Sequence, residues 1–255
     1  MRVTVTGANG ALASVLRPRL LARGFALTST GFVRPEPAGP DEQVQAGDLR
    51  DDAVVDAALA GAQVVLHLAG SSVERPLPEI IQNNLLALQR VYEGARRHRV
   101  GRVVFASSNH TIGMYPVGVT LTLSDPVRPD SFYGLSKVWG EAMGRMYWDK
   151  YGIETVAIRI GSALERPTET RHLSTWLGYE DLETLVCQAL SVPDLGFLTV
   201  WGVSANSRGC WDNAAAAALG YAPQQNAEDY ADTILAAPDA SWPCQGGSFA
   251  AADLP

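Results

Sequence analysis

The chain has 255 residues with 20 Lys and Arg against 27 Asp and Glu, a net charge of −7, and a pI near 5.1. This length buries a sizeable core, and 47% hydrophobic with 18% charged residues excludes long disorder, collagen-like repeats and coiled coil. The acidic balance disfavours a nucleic-acid partner.

Strands and helices alternate from the start. In chain order we predict a strand at Arg2–Thr6, a helix at Ala11–Arg23, strands at Phe25–Ser29 and Gln43–Ala46, and a helix at Asp51–Ala60. A strand at Gln63–Leu68, a long helix at Pro78–His98 and a strand at Arg102–Ala106 follow, then a helix at Ser131–Tyr151 and a sixth strand at Glu154–Arg159. Strands that alternate with crossover helices imply a parallel sheet covered on both faces. Beyond Gly161 the pattern loosens into helical stretches at Asp181–Ser191, Trp211–Leu219 and Ala227–Ala236. The run Ala214–Ala218 reads as a helix of high Ala propensity. No linker divides the chain, so the expectation is one α/β domain over 1–255. It is a Rossmann-like doubly wound parallel sheet, with 161–255 supplying most of a small C-terminal substrate-covering region.

No apolar run of about 18 residues is present to span a membrane, and the apolar start at Val3 is too short and Gly-interrupted for a signal peptide. A cytoplasmic protein without a membrane partner is expected. Cys187, Cys210 and Cys244 lack CxxC spacing and suit reduced thiols better than disulfides or zinc. No His, Asp and Glu cluster has metal spacing.

Gly7-Ala8-Asn9-Gly10-Ala11-Leu12-Ala13 follows the first strand and opens the first helix. Glycines there let the backbone turn sharply and approach a pyrophosphate, whose charge rests on the helix N-terminal amides. The second strand of such folds usually ends in an acid that binds the adenosine ribose and repels a ribose phosphate. Gly31 stands at that point instead, with Arg34 three residues on, so NADP is a plausible cofactor beside NAD, with Arg34 either a phosphate partner or a solvated loop residue. Asp48, followed by Leu49, is either an adenine contact or the cap of the next helix.

Tyr133 and Lys137 are four apart, on one face of the predicted helix. Tyrosine is a poor base at neutral pH, and an ammonium beside it favours the phenolate. Ser107 and Ser108 end a buried strand, so a hydroxyl can sit at the carboxyl edge of the sheet, where ligands bind. His67, inside a strand, reads as a satisfied core histidine.

These motifs resemble the extended short-chain dehydrogenase/reductases. Within them the closer resemblance is to the uronate dehydrogenases, on Ser107-Ser108-Asn109-His110-Thr111-Ile112-Gly113, Tyr133–Lys137, Arg159-Ile160-Gly161-Ser162 and Arg171-His172-Leu173-Ser174-Thr175-Trp176. Gly202–Asn206, Trp211–Asn213 and Gln245-Gly246-Gly247 extend the resemblance over nearly the whole chain. It implies oxidation of the anomeric hydroxyl of glucuronate or galacturonate to an aldarolactone, with hydride passing to a nicotinamide cofactor, in a homo-oligomer. It implies that Tyr133 is the base, Lys137 its partner, and Ser108 the hydroxyl that orients the reacting oxygen. By the same resemblance Ser72, Asn109, His110 and Ser162 contact sugar hydroxyls, Arg171 pairs with the substrate carboxylate, and Leu68 and Ala69 touch the cofactor. The bland reading of Arg171 is a surface ion pair with Glu169. Nucleotide-sugar epimerases or dehydratases, and a non-catalytic NAD(P)-sensing domain, share part of this pattern. The former usually carry a larger C-terminal region, and the latter has no need of Tyr133, Lys137 and Ser108 together.

Overall fold

Alternating Val and Thr make β1 (Arg2–Thr6) a strand buried from Val3 onward, and the computed structural model, which describes residues 1–236 and 242–255, builds outward from it. Gly7, at φ +72°, turns the chain into α1 (Ala11–Ala22). β2 (Ala26–Gly31), β3 (Glu42–Ala46), α2 (Asp52–Leu59) and β4 (Val64–His67) follow. The helix predicted at Pro78–His98 is three pieces: α3 (Leu77–Ile80), a π-helical stretch over Ile81–Leu86, and α4 (Ala87–Arg97). Next come β5 (Arg102–Ser108), α5 (Phe132–Tyr151), β6 (Glu154–Ile160), β7 (Ser162–Ala163), α6 (His172–Thr175), β8 (Trp176–Leu177), α7 (Tyr179–Ser191) and β9 (Phe197–Gly202). Two short helices, α8 (Ala231–Leu235) and α9 (Ser248–Ala251), complete the described elements.

Seven strands form one parallel sheet in the order β3-β2-β1-β4-β5-β6-β9. The order reverses between β1 and β4, and the carboxyl ends of the strands there open a crevice, the place where ligands bind such sheets. Both faces are covered. One packs Leu16 and Leu20 of α1 with Leu182, Leu185 and Val186 of α7. The other packs Val55, Leu59, Val91 and Tyr92 with Met143 and Tyr147 of α5.

Three expectations are corrected beyond the sixth strand. Phe197–Gly202 is a further strand paired with β6, so part of 161–255 extends the sheet; 237–241 of that range lie outside the described residues. The predicted helix at Trp211–Leu219 begins only at Ala214 and is 3-10 rather than α. A six-residue stretch is too short for Ala propensity to propagate a helix, and its start is fixed elsewhere, because Asn213 exchanges hydrogen bonds with the Trp201 backbone at 2.9 and 2.8 Å. Ala227–Ala236 divides likewise into a 3-10 turn at Ala227–Tyr230 and α8.

A buried ion pair ties α1 to β3. Arg17 Nε and Nη2 donate to Glu42 at 2.6 and 2.8 Å, and Arg17 Nη1 donates to the Ala8 carbonyl in the Gly-rich turn. The Glu42 side chain is fully buried, so removing its cation strands a carboxylate in the core. Arg17→Ala is expected to cost about 3–5 kcal/mol, whereas replacing both residues by Met recovers most of the loss, as urea unfolding of the three proteins would show.

Candidate active site

A groove of about 430 Å³ runs across the switch point from Gly7 to Leu49. The backbone passes closest at Gly7, where a Cβ would fall 2.7 Å from the Ala69 backbone. The Gly10 N-cap of α1 offers no side-chain bond, leaving the first-turn amides for an anion. Ala13, where a third glycine would stand, is fully buried and keeps α1 against the sheet. This glycine cradle, the open helix end and the mostly apolar walls fit a dinucleotide. Gly7, Asn9, Gly10, Gly31, Asp48, Leu49, Leu68 and Ala69 line the groove as expected. Ala11 and Arg34 do not. Ala11 faces solvent, and the chain after Gly31 gives the wall to Phe32 and Val33 and buries Pro35, which turns Arg34 outward. The cation that does line the groove, Arg50, was missed. Asp48 is not the cap of α2; Asp51 is, accepting from the Ala53 amide at 2.9 Å.

A second cavity of about 270 Å³ adjoins the groove, sharing Leu68, Gly70 and Ser71 as walls. It gathers Leu12, Ser72, Ser108, Asn109, His110, Tyr133, Lys137, Ser162 and Arg171. α5 starts under firm control: Ser131 caps it at the Gly134 amide, 2.9 Å, and Glu74 accepts from the Phe132 and Tyr133 amides at 3.0 and 2.8 Å. Tyr133 is thereby set near the carboxyl edge of β5, lining the same cavity as Ser108. Burial pushes the Tyr133 phenol up to about 12, and the Ser108 hydrogen bond opposes that rise. Lys137 donates to the Ala106 carbonyl at 2.8 Å, and its Nζ lies 5.3 Å from the centre of the Tyr133 ring. Burial lowers Lys137 to about 8, so it remains mostly an ammonium at pH 7 and supports the phenolate.

The end of the cavity around His110 and Arg171 is equally organised. His110 Nδ1 donates to Asp130 at 2.7 Å, and Phe249 of α9 stacks on the ring with centroids 4.2 Å apart. Arg171 Nε donates to the Gln245 carbonyl at 3.0 Å and Nη1 to Ser162 Oγ at 3.0 Å. The hydrogen-bond network assigns the Asn109 amide with its nitrogen on the Ile160 carbonyl and its oxygen accepting from Arg171 Nη2 at 2.8 Å. Glu169 pairs with His172 instead, Nε2 to Oε1 at 3.1 Å. Among the described residues no carboxylate pairs with Arg171, and burial holds its guanidinium below the ordinary range.

Asp130, Phe249, Glu74 and Glu141 were not singled out from the sequence, and Gln245 was named only within a stretch of resemblance, without a role. Glu141 had a visible signal: it lies four residues after Lys137 on the same helical face, an acid in a stripe otherwise buried. Its carboxylate accepts from Ser107 Oγ at 2.6 Å and from Arg159 at 2.9 and 2.8 Å. His67 is as expected, fully buried, bonded to Thr6 Oγ1 at 3.0 Å and lowered by burial to about 3.

Comparison with known proteins agrees with this geometry. The model of the NAD dependent epimerase/dehydratase family matches residues 3–176, and uronate dehydrogenase of Pseudomonas syringae pv. tomato is 44% identical over 98% of this chain and 93% of the relative. The chain belongs to the uronate dehydrogenase branch of that family. A uronate dehydrogenase from Agrobacterium tumefaciens, a mutant complexed with NAD, superposes with a TM-score of 0.94 at 42% identity, covering 99% of this chain and 98% of the other. Glucuronic acid dehydrogenase from Chromohalobacter salexigens does so at 39% identity, also with a TM-score of 0.94, over 100% and 98%.

If Tyr133 is the proton acceptor, Tyr133→Phe, which keeps the ring and removes the hydroxyl, should lower turnover about 100- to 10,000-fold while dinucleotide binding persists, as steady-state rates and calorimetry would show. Ser108→Ala removes the neighbouring hydroxyl that opposes the rise of the Tyr133 phenol. The rising limb of its kcat/KM profile should therefore lie at higher pH than that of the unsubstituted protein.

Proposed function

We propose that the protein oxidises the anomeric hydroxyl of glucuronate or galacturonate to the aldarolactone, with NAD as hydride acceptor. One observation carries this reading: a partly buried guanidinium that pairs with no carboxylate among the described residues, Arg171, lines the same small cavity as Tyr133, Ser108 and Lys137. A guanidinium has five N–H donors, and three of them serve Gln245, Ser162 and Asn109. The remaining donors and the unbalanced charge suit a carboxylate.

With the sugar carboxylate on Arg171, the other end of the ring reaches Ser108 and Tyr133. Ser108 orients the anomeric hydroxyl, and Tyr133 as phenolate takes its proton. The C1–H bond breaks with both electrons leaving as hydride, and C1 becomes the lactone carbonyl because the ring oxygen stays attached. The bound nicotinamide supplies the hydride acceptor. Lys137 then stabilises the phenolate before each turnover, and His110, held by Asp130, presents Nε2 to a ring hydroxyl. A non-catalytic sensing role leaves the Tyr133, Ser108 and Lys137 arrangement without a purpose.

Mixing the protein with galacturonate and NAD and following the absorbance of the reduced cofactor tests the reading; no reduction with either uronate would overturn it. Arg171→Ala should lower kcat/KM on both uronates by roughly 30- to several-thousand-fold, the equivalent of about 2–5 kcal/mol for truncating one partner of a buried charge pair. Activity on galactose or glucose should scarcely change, and Arg171→Lys should restore only part of the loss because the planar fork is gone. Equal losses on charged and neutral sugars would show that Arg171 supports the loop without reading the carboxylate.

A further inference from the structure

We propose that the adenosine end of the groove holds a subsite for a ribose 2′-phosphate, formed by Asn9 and Arg50, so that the protein takes NADP as well as NAD. This rests on the dinucleotide reading above and adds to it the residues that read the ribose.

The space beside Gly31 is occupied by the Gly-rich turn. A Cβ on Gly31 would fall 1.8 Å from Asn9 Oδ1 and 2.9 Å from the Val33 carbonyl oxygen. The position from which an acid would reach the ribose is therefore filled by a neutral amide. The difference is chemical: a carboxylate only accepts hydrogen bonds and repels a phosphate, whereas an amide accepts from a hydroxyl through its oxygen and donates to a phosphate through its nitrogen.

The charges of the groove point the same way. Of the residues that line it, only Asp48 and Arg50 are charged. Arg50 neutralises Asp48 with Nε at 3.0 and 2.9 Å from the two carboxylate oxygens and Nη2 at 2.5 Å, and the Arg50 amide adds a bond at 2.9 Å. No unpaired negative charge is left among the described residues of the groove to oppose a phosphate. On its other side the guanidinium reaches across to Gln82 in the π-helical stretch, Nη1 to Oε1 at 3.2 Å. Arg50 is thus braced from both walls, with the remaining N–H donors of its five free and the side chain 41% exposed. The N–H donors not spent on Asp48 and Gln82 can each donate a hydrogen bond to a phosphate oxygen. Arg34, the cation nearer in sequence to Gly31, is exposed and does not line the groove.

The test needs no turnover. Calorimetric titration of the unsubstituted protein, Arg50→Ala and Asn9→Asp with adenosine 5′-monophosphate and adenosine 2′,5′-bisphosphate measures what the second phosphate adds. The unsubstituted protein should bind the bisphosphate at least as tightly as the monophosphate. Arg50→Ala should reduce the ratio of the two affinities by roughly 10- to 100-fold, the range for one charge-assisted bond. Asn9→Asp should reduce it by like-charge repulsion, and the kcat/KM ratio of NADP to NAD with galacturonate should fall in step. Monophosphate binding without bisphosphate binding, or a ratio untouched by both substitutions, would overturn the subsite. Failure of both nucleotides to bind, with no reduction of NAD by galacturonate, would overturn the dinucleotide reading and the subsite with it.

Discussion

The Glu141 carboxylate is the joint on which the catalytic end is hung. It is 8% exposed and accepts from Ser107 of β5 and Arg159 of β6, so it fixes the rotation and height of α5 against two adjacent strands. Tyr133, Lys137 and Glu141 stand at intervals of four on one face of that helix. Fixing the third therefore aims the first two: Lys137 at the Ala106 carbonyl and Tyr133 at Ser108. A slip of α5 by one residue would turn the phenol away from the strand end. The charge is balanced by Arg159, and in such buried pairs the loss of either partner costs several kcal/mol. Position and stability are set here by the same bonds.

The sugar side is closed by chain far away in sequence. Gln245, 74 residues from Arg171, accepts the Arg171 Nε through its backbone, while its side chain donates to the Pro116 and Val119 carbonyls and accepts from Trp211 Nε1. Gly246 lets this segment press against Asp130; a Cβ there would fall 1.9 Å from the Asp130 carboxylate. Asp130 in turn orients His110, on which Phe249 stacks. The guanidinium is thereby held by carbonyl, hydroxyl and amide oxygens, which fix its direction without cancelling its charge. That is the condition for selecting an anionic sugar over a neutral one.

Much of this was legible in the sequence for a physical reason. β1 was delimited end for end, because alternating Val and Thr bounded by a glycine turn is a local signal. Tyr133 and Lys137 could be paired from helix spacing and one hydroxyl of Ser107-Ser108 placed from a strand end, because those signals are local too, while the choice of Ser108 came from the resemblance. What escaped depends on distant partners. The π-helical stretch at Ile81–Leu86 leaves the helical hydrophobic pattern nearly intact, yet it brings Asn84 to the Ser71 backbone and to Ser136. β9 is recognisable chiefly by its pairing with β6. Arg34 was named and Arg50 was not because proximity to Gly31 in sequence stood in for proximity in space, and the chain bends at Phe32 and Val33, leaving Arg34 exposed and off the groove.

The central claim is that one cavity removes hydride from the carbon that carries the anomeric hydroxyl. Galacturonate deuterated at C1, incubated with NAD and the protein, tests it most directly by mass spectrometry of the reduced cofactor and the sugar product. The account predicts one deuterium in the reduced nicotinamide for every aldarolactone formed, with a slower rate than for the unlabelled sugar. Reduced cofactor without deuterium, or deuterium retained at C1 of the product, would contradict it.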